Sequence, residues 1–229
     1  ALGWATLQSG RFLLPALLPR ISETLEFSPS EIGLTLTAFG LIYAIVQYPS
    51  GSYSDMLTRA TLILPGFVVI LFGFVLVGLS VTASVFVVGV VAIGTGKGLY
   101  ASPARALLDD RFDARRGAAL GIFTAGTDLG GLVASGLAVV VLATTGWQMA
   151  FVPVVCVLAA VTVLFVFWNA EAYDFRRVRL SPGRTIGRIV ASREQREILL
   201  AFSLFCSSLG GSRRPLRAAV SRCSSSLDS

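Results

Sequence analysis

Three ionisable side chains, Arg11, Lys97 and Asp128, stand inside long apolar runs of this chain. A charge in a hydrocarbon environment has to be paired, neutralised or wetted, so such residues mark binding or ion-coupling sites by default. Arg11 precedes Pro19, the outer end of its run, by a helical distance of about 12 Å. That puts it near the middle of the run, and Asp128 is near the middle of another. An Arg11–Asp128 pair is geometrically possible. Either it binds an anionic or polar substrate or couples a proton, or it is a structural ion pair between packed helices. Lys97 lies about five residues from the inner end of its run, from which its ammonium can reach the interface. Gln8, Tyr43 and Gln47 are candidates to line the same cavity, and helix packing accounts for them nearly as well.

A second set sits in the loops. Residues 51–61 form a short polar stretch between two apolar runs, opened by Gly51, with Asp55 and Arg59 four residues apart. On a helical turn side chains at that spacing can meet; on an open surface they contribute little. Arg115 and Arg116 stand just before the fifth run. On that run Gly117, Gly121, Thr124, Asp128, Gly131 and Ser135 follow helical spacing and predict one small, polar seam. Small residues let helices approach where lipid offers no hydrophobic drive.

The elements that position these residues are membrane-length. Of 229 residues 54% are hydrophobic and 14% charged, against about 25% charged in soluble domains. Six spans are expected, at 1–19, 32–50, 61–80, 83–104, 117–143 and 147–168. About 20 residues of helix cross the hydrocarbon layer. Residues 61–80 show no alternation of the kind a barrel strand needs, so the fold class is an all-α integral membrane protein. The first span reads as a helix that has lost its beginning. The loops at 51–60, 105–116 and 169–197 hold twelve arginines, and those at 20–31, 81–82 and 144–146 hold one. By the positive-inside rule this predicts a multi-pass protein of the cell membrane, with its amino terminus and the 169–197 loop cytoplasmic. The net charge of +6 then reflects cytoplasmic loops and not a nucleic-acid partner.

Several chemistries are excluded. The chain has no histidine, and Cys156, Cys206 and Cys223 are too scattered for a disulfide framework or a zinc site. Gly94-Thr95-Gly96-Lys97-Gly98 lacks the spacing of a nucleotide-binding loop. No cofactor and no enzyme activity are expected. The chain divides into a six-span unit at 1–168, an arginine-rich linker at 169–197, and an aborted seventh helix with an out-of-frame tail at 198–229. The seventh run starts at Ile198 and is too short to span a bilayer. Residues 207–229 then carry eight serines and four arginines without periodicity. In GC-rich codons a one-base shift turns phenylalanine, leucine and alanine codons into serine and arginine codons; a natural disordered end is the alternative.

Four motifs taken in order resemble the major facilitator superfamily of transporters. Gly51, Asp55 and Arg59 match its Gly-x-x-x-Asp-Arg-x-Gly-Arg-Arg turn, with Met56, Thr58 and Ala60 departing from it. Arg115-Arg116-Gly117 opens the fifth span. Gly126-Thr127-Asp128-Leu129-Gly130-Gly131 is similar to its Gly-Pro-x-x-Gly-Gly motif, with Thr127 in place of proline. Gly146-Trp147-Gln148-Met149-Ala150-Phe151 is similar to the start of its sixth helix. In the fourth span Gly94 stands where family members often carry arginine and Lys97-Gly98 stands in the place of a Gln-Gly pair, so the resemblance implies Lys97 as the substitute if that arginine takes part in proton coupling. The resemblance implies the amino-terminal six-helix half of a twelve-helix secondary transporter working by alternating access. Its implied partners are the bilayer, a small-molecule solute, a proton or other coupling ion, and a carboxy-terminal half. Two other readings stay open: a membrane half-subunit pairing with a separate half, and an inactive gene remnant. The resemblance also implies that Asp55 pairs with Arg115 or Arg116 to latch the inner gate, and that Gly117, Gly121, Gly126, Gly130 and Gly131 pack helices.

Overall fold

The computed structural model describes residues 1–54, 57–144 and 146–169. The expectations placed on Asp55, on the linker beyond Asn169 and on 198–229 lie outside those residues. Six helices are described: α1 (Leu2–Thr24), α2 (Pro29–Ser54), α3 (Ala60–Gly78), α4 (Ala83–Arg111), α5 (Arg116–Thr144) and α6 (Phe151–Trp168). Short 3-10 turns at Asp113–Arg115 and Trp147–Ala150 lead into the last two. Five of the helices, α2 to α6, are long and apolar enough to cross a membrane. The sixth, α1, has 23 residues and carries Arg11, Arg20 and Glu23.

The helices outrun the apolar runs that predict them. α1 continues through Pro19 to Thr24, and α4 continues past 104 to Arg111. Helical hydrogen bonding persists in the interface after the hydrocarbon layer ends, so composition marks the layer and not the helix. Gly51 does not open a turn: α2 runs through it to Ser54. Between α1 and α2 the chain reverses tightly. Glu26 adopts φ 54° and the Phe27 N–H donates to the Ser22 carbonyl, a left-handed helix cap. Then Ser28 and Glu31 close a capping box. The Glu31 N–H donates to Ser28 Oγ (3.3 Å), and Glu31 Oε2 accepts from the Ser28 N–H (2.8 Å).

Packing is mostly non-sequential. α3 packs on α4, α2 on α4, α1 on α5, and α6 on α3 and α1. The α3–α4 contact rests on backbone approach at two glycine pairs. A Cβ at Gly73 would stand 2.8 Å from the Gly89 carbonyl oxygen, and one at Gly89 would stand 3.0 Å from that of Gly73. Gly66 and Gly96 repeat the arrangement a few turns away, at 3.2 and 2.8 Å. On α1, Gly3 and Gly10 receive the rings of Phe67 and Phe74 from α3, again seven residues apart on both sides.

The seam on α5 differs from the expected one. Its bundle-facing stripe is Phe123, Gly126, Gly130, Ala134, Ala138 and Val141. Gly126 and Gly130 lie against α1, where a Cβ at Gly130 would stand 2.8 Å from the Ala5 carbonyl oxygen, and Gly131 meets Phe12. Gly117 and Gly121 pack on nothing: no described atom lies within 4 Å of where their Cβ would stand, and both are exposed with Thr124, Asp128 and Ser135. α5 carries small residues on two neighbouring stripes, and the one with the large ring at its head is buried. α2 has a similar open stripe at Gly33, Gly40 and Gly51.

This division makes a prediction. Gly89→Ala and Gly96→Ala should each destabilise the purified protein by about 1–3 kcal/mol through overpacking, read as a fall in thermal unfolding temperature in detergent. Gly33→Ala should cost nothing. An equal loss at Gly33 would refute the assignment of the α3–α4 contact as the tight one.

Candidate functional site

Trp4 of α1 joins most of the chemistry-bearing side chains of the bundle. It is buried, and its Nε1–H donates to Thr127 Oγ1 at 2.9 Å. Thr127 is the residue that stands in the proline place of the fifth-span motif, so the substitution supplies an acceptor. The indole stacks on Phe123 (4.8 Å between centroids, 22°) and more distantly on Tyr100 (6.3 Å, 28°). These contacts tie α1, α4 and α5 around one ring.

Two cations of α4 reach that ring. Lys97 Nζ lies 5.8 Å from its centroid and Arg105 Cζ 5.6 Å. Arg105 also sits 5.9 Å from Phe123. Lys97 is 4% exposed, and no carboxylate or hydrogen-bond acceptor meets its ammonium among the described residues. Aromatic faces surround it instead: Tyr43 at 4.4 Å, Phe39 at 5.6 Å and Trp4. A desolvated cation–ring contact stabilises by about 2 kcal/mol, less than the several kcal/mol by which burial penalises an unpaired ion. Three such contacts together are of the same order as that penalty, so the rings stand in for the carboxylate a buried ammonium more often meets. Lys97 does not snorkel; the aromatic side chains of α1 and α2 hold it inward.

The other sequence candidates distribute as follows. Gln8, one turn beyond Trp4, is 2% exposed and its Oε1 is left without a hydrogen-bond donor. Arg11 is half-buried, with its guanidinium 5.4 Å from the Phe12 ring centroid. Gln47 is half-buried one turn beyond Tyr43. Asp128 is exposed on the open stripe of α5 and makes no ion pair with Arg11. The reason is angular: Arg11 belongs to α1, and the α5 face turned to α1 is the Gly126–Gly130 face, whereas Asp128 points elsewhere.

At the end of the bundle where α2 meets α3, Arg59 reaches back to the Ser54 carbonyl, donates to Ser54 Oγ (2.8 Å) and pairs with Asp110 Oδ2 at 3.1 Å. Arg116 pairs with Asp109 and, at 3.3 Å, with Asp113. Arg115 is exposed. Thus the carboxylates that meet these arginines among the described residues come from the α4 end and the turn after it. Ser50 Oγ adds a 2.9 Å bond to the Leu99 carbonyl, fastening α2 to α4.

Sequence reasoning missed Trp4, Phe39, Arg105 and Phe123, and the acceptor role of Thr127. It followed charges in apolar runs, and rings in such runs look like ordinary lipid-facing or core residues. The spacing of Trp4 one turn before Gln8 was the available signal.

Comparison with known proteins follows the same direction. A family model described as the Major Facilitator Superfamily matches residues 1–212. The chain is 27% identical over 157 residues to a probable sulfoacetate transporter of Cupriavidus necator, an alignment covering 68% of this chain and 36% of that protein. It is 24% identical over 186 residues to a hexuronate transporter of Bacillus subtilis, covering 77% of this chain and 40% of the relative. The chain thus spans about half the length of these curated relatives, and the aligned stretches cover 36% and 40% of them.

The Trp4–Thr127 bond can be measured. Trp4→Phe and Thr127→Val should each cost about 1 kcal/mol of stability, and the double variant should cost little more than either single one. Additive losses in detergent unfolding would show that the two side chains are not bonded.

Proposed function

Because the chain belongs to the Major Facilitator Superfamily, we propose that its six described helices form one half of a secondary transporter for a small organic anion. What the family match gives directly is coarser: a membrane transport module with half the usual number of helices, and not an enzyme. In the proposal a second six-helix half, on the same or a separate chain, faces the open stripes of α2 and α5 and completes the cavity. Alternating access then exposes the site to each side of the membrane in turn.

The observation that carries the anion reading is the set of cations on α1 and α4, of which Lys97 and Arg105 reach the Trp4 ring and Lys97 is buried. Arg11, Lys97 and Arg105 lie within helices α1 and α4, and none is paired with a carboxylate among the described residues. A site of this sign recruits anions and raises their local concentration. The two relatives, a probable sulfoacetate transporter and a hexuronate transporter, are named for substrates of the same chemical class. Asp128 stands apart from the cations on the open stripe, which suits a proton-carrying carboxylate in a wetted cavity. The half-subunit reading is favoured over a self-sufficient carrier by that same exposure, since a carboxylate facing lipid is costly.

The test uses the purified chain. Sulfoacetate and glucuronate should each raise its thermal unfolding temperature saturably and compete with one another, while neutral glucose should not. Lys97→Met should weaken the anion effect by about tenfold or more, the loss expected of one charge-assisted contact. Glucose acting as well as glucuronate, or neither anion acting, would sink the anion reading. Proteoliposomes of the chain alone should show no uptake; adding a carboxy-terminal half should restore it, and Asp128→Asn should then abolish proton-driven uptake.

A further inference from the structure

Among the described residues Lys97 meets no counter-ion, yet it is closed off from the surface. The three rings around it are not equivalent. Trp4 and Phe39 are buried, at 4% and 9% exposure, and are fixed by neighbours: Trp4 by Thr127 and Phe123, and Phe39 by the glycine gap at Gly94, where a Cβ would stand 2.9 Å from the Phe39 carbonyl oxygen. Tyr43 is nearest to the ammonium, at 4.4 Å, and is only half-buried. It lies on the open side of the cage, on the least buried of the membrane-length helices.

Backbone movement at Tyr43 is restricted. Its carbonyl oxygen would lie 3.1 Å from a Cβ at Gly98, so α2 and α4 are in close contact at this level. Ser50 adds its bond to Leu99 two turns on. The ring, by contrast, can swing about its own side-chain bonds without moving either helix.

We propose that Lys97 anchors an occluded binding site for a carboxylate or sulfonate, and that the Tyr43 ring is the lid that covers it. The proposal rests on the anion reading above and adds the anchor and its cover. With the site closed, the ring face supplies part of the negative potential the ammonium requires. An entering anion supplies more, displaces the ring, and draws on Arg11 and Arg105 as flanking charges. Gln8, whose Oε1 meets no donor among the described residues, is a turn from Trp4 and is available to a hydroxyl of the bound anion.

Lys97 is the only lysine in the chain, so acetylation by a neutral amine-reactive ester reads this site alone among side chains. The labelled peptide is quantified by mass spectrometry on the full chain in detergent. Wild type should label slowly. Tyr43→Ala should label about tenfold faster or more, the factor for losing one ring–cation contact and its cover. Tyr43→Phe, which keeps the ring, should stay within about twofold of wild type. Saturating glucuronate should then slow labelling of the Tyr43→Ala variant. If Tyr43→Ala labels no faster, the ring is not a lid. If glucuronate raises the unfolding temperature but leaves Lys97 labelling unchanged, the anion binds elsewhere and this site is wrong while the transport reading stands. If glucuronate and sulfoacetate do not bind by thermal shift at all, the anion reading and this site fall together.

Discussion

Apolar side chains gain little by leaving hydrocarbon for a protein interior, so a helical bundle in a membrane depends on how closely its backbones can approach. In this protein that approach is made by glycine. Gly66, Gly73, Gly89 and Gly96 bring α3 and α4 into backbone contact, Gly3 and Gly10 admit two phenylalanine rings, and Gly130 brings α5 against α1. Dispersion between close surfaces is the main cohesive term, small for each atom pair and large in sum. The site geometry follows from it. Trp4 can stack on Phe123 and bond Thr127 because Gly126 and Gly130 let α1 lie close to α5.

Polar groups are handled differently at the two depths of the bundle. Near the end where α2 meets α3, arginines are met by carboxylates at short range, Arg59 by Asp110 and Arg116 by Asp109 and Asp113. These contacts are partly exposed and correspondingly modest. Deeper in the bundle Lys97 is buried among the rings of Trp4, Phe39 and Tyr43, while Arg11 is half-buried and Arg105 exposed.

Much of the fold was legible in the sequence, because spans of membrane length carry a strong compositional signal. The six helices are where the apolar runs lie. Their ends were not legible: residues 105–111, with four charged residues beyond the expected span, are still helical, because hydrogen bonding along the axis outlasts the hydrocarbon. The α5 seam was placed one stripe away from its true position. Two small-residue stripes lie side by side there, and only the partner helix decides between them. Lys97 was identified by its type, but its surroundings come from Trp4, Phe39 and Tyr43 on two other helices, a convergence no linear spacing encodes. The Arg11–Asp128 pairing read from depth along the axis did not form, because depth is readable from a sequence and azimuth is not.

The pattern of helix partners has a consequence for how the protein is made. α2 packs chiefly on α4, α1 chiefly on α5 and α6, and only α3 and α4 are both neighbours in the chain and close partners. Helices leave the ribosome in order. When α2 enters the bilayer its partner has not yet been synthesised, and α1 waits longer still. The first three helices must therefore be kept apart from other membrane proteins until α4 arrives, and α4, with its four glycines at 89, 94, 96 and 98, is the segment on which co-translational assembly turns.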